Sequence, residues 1–163
     1  MAFDGITISN IVHELRENLL DGRINKIAQP EADELLLTIK TSNGQKRLYM
    51  SASASLPLIY LTETNKPSPM TAPNFCMLLR KHLQNGRIIA VTQPGLERII
   101  HIDIEHLDEL GDLCRKTLIV ELMGKPKKAE YYDTYGNLVA GSKLAKGLQS
   151  VVIPISGYVK LIY

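Results

Sequence analysis

Two groups of cationic side chains are the residues of this chain best suited to chemistry. Arg80-Lys81-His82 sits among Phe75, Leu78, Leu79 and Leu83, which fall at helical spacing and make one apolar face. Two cations near the end of a helix beside a groove can hold nucleic-acid phosphates. Glu97-Arg98 follows the turn Gln93-Pro94-Gly95. The planar fork of Arg98 can grip a phosphate or a guanine edge at two points. On a regular strand Glu97 and Arg98 would point to opposite faces. They can serve one ligand only where the Gly95-Leu96 turn breaks that alternation. Spacing alone leaves plainer readings open: a solvated helix face paired with carboxylates, and a surface acid and base at a strand start.

Catalytic constellations find little support. The histidines, His13, His82, His101 and His106, are scattered, with no metal-ligand spacing. Asp103 and Glu105 share a strand face with His101, which reads as surface charge. Ser51, Ser53 and Ser55 lie in a small-residue stretch without a nucleophile-elbow pattern. Cys76 and Cys114 are far apart and fit two isolated buried thiols of a reducing compartment, with a disulfide as the alternative. The expectation is a binding protein without a metal or cofactor, not an enzyme.

Composition narrows the partners. A net charge of +2 over 163 residues excludes binding by bulk charge, so any polyanion site must come from local clustering. With no Trp and only two Phe, a broad stacking platform for bases is not expected. The start, MAFDGITISN, has an acid at Asp4 and no apolar core of a secretory signal. The apolar runs are too short to span a bilayer. A cytoplasmic protein without membrane contact is the expectation.

The elements that position these residues follow from periodicity. Ile8, Ile11, Val12, Leu15 and Leu19 predict a first helix, capped by Thr7 or Ser9 and stopped at Asp21-Gly22. Strands are expected at 23–27, 34–40, 46–51 and 57–62, with a hairpin turn at Ser42-Asn43-Gly44. Thr71 is expected to cap the second helix, with Pro73 in its first turn and Asn85-Gly86 at its end. Ile88, Ile89 and Val91 open another strand. Ile100, Ile102 and Ile104 alternate with His101, Asp103 and Glu105 in a half-exposed strand. A polar connection is expected at 107–113 and an apolar strand at 117–123. Further on, strand-like residues fall at 131–134, with a turn at Tyr135-Gly136-Asn137. A hairpin is expected from 151–155 and 158–163 across Ser156-Gly157. No internal repeat is expected. A chain that stops inside a strand suggests a truncated piece or a foreign tail.

Several stretches together resemble the N-terminal domain of the NFACT family of ribosome-quality-control and fibronectin-binding proteins. They are MAFDG at Met1, GRINKIAQP at Gly22, FCMLLRKHLQNGRI at Phe75, QPGLERIIHIDI at Gln93, ELGD at Glu109 and LIVELMGK at Leu118. The resemblance covers residues 1–125. After MGK the family continues with a His-Ser-Asn stretch, whereas this chain has Pro126-Lys127-Lys128, so 126–163 is a strand-rich extension outside it.

The resemblance implies an α+β fold of β-sandwich-like antiparallel sheets with two main helices. It implies likeness to the N-terminal domain of formamidopyrimidine-type DNA glycosylases. Their base-excision chemistry does not carry over, because Met1-Ala2-Phe3 lacks the N-terminal proline and following acid. It implies binding to a large ribosomal subunit carrying a stalled peptidyl-tRNA, engagement of tRNA, and support of alanine tailing of the nascent chain. The site residues it implies are Asp4, which matches a family Asp, and Arg98, which matches the arginine of an Asp-Arg pair. Glu97 stands where that pair has Asp. With Arg80 and Lys81 these make the candidate RNA-binding set. The older family name implies an alternative: an adhesin that binds fibronectin at the cell surface, reached by non-classical export.

Overall fold

Asp4 starts the first helix. Its Oδ1 accepts from the Thr7 backbone N–H at 2.7 Å, which satisfies one of the unpaired donors of a helix start. The computed structural model describes residues 4–31, 34–51, 58–122, 131–132, 138–140 and 158–162. Helix α1 (Gly5–Leu19) buries Ile8, Val12, Leu15 and Leu19. Each such side chain contributes about 1.5–3 kcal/mol before entropy is charged. Strands β1 (Arg23–Ala28), β2 (Glu34–Thr41), β3 (Gly44–Ser51) and β4 (Leu58–Thr62) follow. Helix α2 (Asn74–Leu83) buries Phe75, Cys76, Leu79 and Leu83. Then come β5 (Arg87–Thr92), β6 (Ile99–Leu107) and β7 (Leu113–Glu121). Strands β8 (Tyr131–Tyr132) and β9 (Leu138–Ala140) pair with each other, and β10 (Tyr158–Ile162) joins the main sheet.

The architecture is α+β, with two helices on a mainly antiparallel sheet. The expected pair of sheets is instead one hydrogen-bonded sheet in the order β10-β7-β6-β5-β1-β2-β3-β4. The seam between its halves is thin: β5 and β1 share the single pair Arg23↔Arg87. Both halves nevertheless face a common core. Leu35, Leu37 and Ile39 of β2 lie in one apolar cluster with Ile100, Ile102 and Ile104 of β6 and the buried faces of both helices. The two halves of one sheet therefore share a core with both helices, while the backbone runs on through the seam.

That seam relates two copies of one unit, which the expectation of no internal repeat overlooked. Residues 15–30, LRENLLDGRINKIAQP, recur at 79–94 as LRKHLQNGRIIAVTQP, and half the positions are identical. The hydrogen bonds across the seam are reciprocal. Ile24 N donates to Gly86 O at 2.8 Å, and Ile88 N donates to Gly22 O at 2.9 Å. Asn85 N donates to Ile24 O and Asp21 N to Ile88 O, both at 2.8 Å. The paired residues Arg23 and Arg87 are themselves equivalent, so the local twofold passes between them. Each unit even carries its strand irregularity at the same place, after Ile24 and after Ile88. Asp21 (φ 64°) and Asn85 (φ 68°) turn each helix into its strand, in the left-handed region that short polar side chains tolerate.

Other boundaries shift for physical reasons. Asp4, rather than Thr7 or Ser9, caps α1. Pro73, rather than Thr71, stands at the start of α2, and no side chain caps it. Strand β7 begins four residues before its apolar run, at Leu113, because Cys114, Arg115 and Lys116 keep pairing with His106, Glu105 and Ile104. Strand β10 pairs with β7, Tyr158 opposite Glu121. The expected hairpin partner at 151–155, the turn at 135–137, the end of the strand expected at 131–134 and the boundary at 125–126 lie outside the described residues.

Candidate nucleic-acid interface

One side-chain amide assembles the corner that carries Asp4 and Arg98. Gln93 Nε2 donates to Gly5 O at 2.9 Å and to Glu97 O at 2.7 Å. It thereby ties the first residue of α1 to the turn between β5 and β6. Gly95, at φ 55°, lets that turn reverse. Glu97 N donates to Pro94 O at 3.1 Å to close it. Gly5 makes the close approach possible, since a Cβ there would stand 1.9 Å from Leu96 O. On the far side, Leu122 N donates to Arg98 O at 2.8 Å. The Arg98 backbone is thus held between the turn and the end of β7.

Its side chain is not held. Arg98 is exposed, and among the described residues its guanidinium makes no hydrogen bond or ion pair. The neighbouring charge is Asp4. Its carboxyl lies below the usual carboxylate range, chiefly through the Thr7 backbone N–H, with Arg98 adding a smaller pull. Glu97 is also exposed, and strand β6 begins only at Ile99. Glu97 and Arg98 therefore lie in the turn, where the strict alternation of a strand does not separate them.

The second cluster sits elsewhere. Arg80 is half-buried and donates Nε to Ile27 O at 2.9 Å, which gives this guanidinium a structural task. Its equivalent in the repeat, Arg16, donates Nε to Val91 O at 2.6 Å. Lys81 is exposed and borders a cavity of about 500 Å3 with His82, His106, Leu110 and Lys116. Burial holds the His82 imidazole down to about 4, and the Lys116 and Lys81 ammonium groups push the same way. Lys116 Nζ lies 2.8 Å from His82 Nδ1. Burial also lowers Lys116. Arg98 and His106 lie at opposite ends of β6, roughly 25 Å apart along the strand. The structure thus brings Asp4, Glu97 and Arg98 together and places Arg80 and Lys81 at a separate region, not beside Arg98 in one groove.

Gln93 and Gly5 are the residues that reasoning from the sequence missed. The signal was present in the two Gln-Pro pairs, Gln29-Pro30 and Gln93-Pro94, which mark equivalent turns of the repeat. Among the described residues no group of three His, Cys, Asp or Glu side chains is placed to hold a metal ion. No helix among them is long and apolar enough to cross a membrane.

Known proteins share the sequence and the fold of this chain. The chain is 41% identical over 125 residues to the Rqc2 homolog RqcH of Streptococcus pneumoniae serotype 2, covering 77% of this chain and 23% of that protein. It is 35% identical over 139 residues to the Rqc2 homolog RqcH of Bacillus subtilis, covering 85% and 24%. Among solved structures, it matches the N-terminal domain of the fibronectin-binding protein PavA from Streptococcus pneumoniae with a TM-score of 0.73 and 41% identity, over 76% of this chain and 46% of that one. The chain spans about a quarter of the length of these curated relatives. A family model described as the NFACT N-terminal and middle domains matches residues 4–126, and the chain belongs to that family.

Proposed function

We propose that this domain is an RNA-contacting module of a ribosome-associated quality-control factor. In this reading it touches tRNA and the large ribosomal subunit that holds a stalled peptidyl-tRNA. The observation that carries it is Arg98: an exposed cation that makes no hydrogen bond or ion pair among the described residues, on a backbone fixed from two sides. With the backbone already ordered, gripping a phosphate costs only the freedom of the side chain. Asp4 and Glu97 beside it supply acceptors for ribose hydroxyls or base amines. Lys81 borders the cavity that His106 lines at the other end of β6, and is a second electrostatic contact. A folded RNA is large enough to touch both, whereas a mononucleotide is not. The role is binding rather than catalysis, in the cytoplasm. Alanine tailing of stalled chains belongs, on this reading, to the longer protein of which such a domain forms one part.

Filter-binding titration with tRNA tests the proposal. Affinity should fall steeply as salt rises. Arg98→Ala should weaken binding by about tenfold, the scale of one charge-assisted contact. Binding indifferent to both changes would sink it.

The name of the PavA neighbour favours one second reading, a fibronectin-binding surface. Strand β4 lies at the end of the sheet order, with exposed Tyr60, and an extended peptide could add there as a further strand. Pull-down of fibronectin by the chain, abolished by a proline in β4 and untouched by Arg98→Ala, would select this reading over the first.

A further inference from the structure

The turn between β6 and β7 carries the ELGD stretch, and it borders a cavity of about 500 Å3 that the Arg98 corner does not use. Three elements converge there: Lys81 and His82 of α2, residues 106–110 of β6 and its turn, and Lys116 of β7. The two lysines come from different elements, yet stand close enough for their charges to interact. Lys116 is half-buried, and its Nζ donates to His82 Nδ1 at 2.8 Å, since an ammonium can only donate. Lys81 is exposed and makes no hydrogen bond or ion pair among the described residues.

The carboxylates of the lining leave these cations undercompensated. Asp108 is directed into its own turn, where Oδ1 accepts from Leu110 N and Asp112 N, both at 2.9 Å. Glu109 is exposed and makes no ion pair among the described residues. Burial first, and Lys81 as well, push the Lys116 ammonium down by more than Cys114 and Asp108 pull it up. His82 is held uncharged by burial and by the same two ammonium groups. Leu107 and Leu110, 66% and 86% exposed, add an apolar wall. A space of this size takes a small organic group rather than a bare ion.

We propose that this cavity binds a phosphate ester, with the phosphate between Lys81 and Lys116 and the body of the ester against Leu107 and Leu110. Two ammonium groups act on a phosphate as point charges and need no fixed fork geometry. A phosphate between them offsets their mutual repulsion, which no carboxylate of the lining does by contact. The apolar wall covers a ribose or a base without reading its sequence. A free nucleotide and a phosphate of an RNA chain offer this same group. The site goes beyond the Arg98 contact and stands whether or not that corner grips RNA.

The test titrates inorganic phosphate, 5′-AMP and adenosine into the native chain at pH 7.5 and constant ionic strength, and follows the amide resonances of Lys81, Leu110 and Lys116 by NMR. Phosphate and 5′-AMP should shift them saturably, 5′-AMP at the lower concentration, and adenosine should not. Lys81→Gln should weaken 5′-AMP by about fivefold, the scale of one charged contact. Lys40→Gln, exposed on β2 and outside the lining, should not. A short oligouridine with a 5′ hydroxyl carries internal phosphates only. If it displaces 5′-AMP, the phosphate comes from an RNA strand; if it does not, the site takes a free or terminal phosphate. Shifts that chloride reproduces at equal ionic strength would mean an adventitious ion only and overturn the proposal. So would adenosine binding as well as 5′-AMP, or the two lysine variants losing affinity alike. None of these probes is a folded RNA, so their failure would leave the tRNA reading of Arg98 to its own test.

Discussion

Gly5 and Leu96 touch where no side chain fits: a Cβ on Gly5 would meet the Leu96 carbonyl oxygen at 1.9 Å. The obstacle is backbone, so it cannot swing aside as a side-chain tip could. The Arg98 corner therefore depends on a missing atom at the first residue of α1. Gly5→Ala should lower stability by about 1–3 kcal/mol, the usual penalty of overpacking. It should also weaken RNA binding although residue 5 bears no charge. Urea denaturation and tRNA titration on the same sample check both halves of the expectation.

Arg16 and Arg80 are predicted to be equivalent struts. Each donates Nε to a carbonyl of the opposite repeat unit, at 2.6 Å and 2.9 Å. Arg16→Met and Arg80→Met should each cost about 1–2 kcal/mol, as expected for a hydrogen bond from a charged donor. Neither should alter the salt dependence of RNA binding. Should Arg80→Met weaken RNA binding while leaving the denaturation midpoint in place, Arg80 is a ligand contact and the strut assignment is wrong.

Tyr49 and Glu34 form a buried pair on the outer face of β2 and β3. The Tyr49 hydroxyl donates to Glu34 Oε2, and Lys66 Nζ donates to the same oxygen at 2.7 Å. Burial first, and then the Glu34 carboxylate, push the Tyr49 hydroxyl up to about 12. Tyr49→Phe removes one donor from a carboxylate that is only 6% exposed. The loss should be about 1–3 kcal/mol. A raised folded-state value means that the fold holds the tyrosine proton more tightly than the open chain does. Stability from this pair is complete below pH 10 and falls as pH rises toward 12. Denaturation at pH 9 and pH 11 should show that decline in the parent and less of it in Tyr49→Phe.

His82 gives the opposite limb. Its folded value, about 4, lies below the ordinary 6.5, so the unfolded chain takes up the proton first. The stability linked to it is complete above pH 6.5 and is lost as pH falls toward 4. His82→Gln should flatten the acid side of the stability profile between these values. A variant whose acid limb superimposes on the parent's would show that His82 titrates as an ordinary surface group.

Much of this fold was legible in the sequence, and the misses share a cause. The alternation of Ile100, Ile102 and Ile104 and the helical stripe of Ile8, Val12, Leu15 and Leu19 report burial directly, and both lie where expected. The start of β7 was hidden because Leu113, Arg115 and Lys116 are ordered by cross-strand pairing, which leaves no apolar trace in one strand read alone. The repeat escaped for a related reason. Half of its positions differ, and the identical ones mix helix-stripe leucines, Leu15 and Leu19, with seam and turn residues such as Gly22, so no single period marks it. At the candidate site, the residue types at Asp4, Glu97 and Arg98 were readable. Their meeting was not, because it rests on the Gln93 amide spanning 88 positions of chain to Gly5.

The salt dependence of tRNA affinity, measured in parallel for the parent chain and Arg98→Ala, tests the central claim most directly. If Arg98 grips a phosphate, the variant binds more weakly and its log–log slope against salt is shallower by about one. Superimposable lines with the same slope and the same affinity would show that the Arg98 guanidinium touches no phosphate.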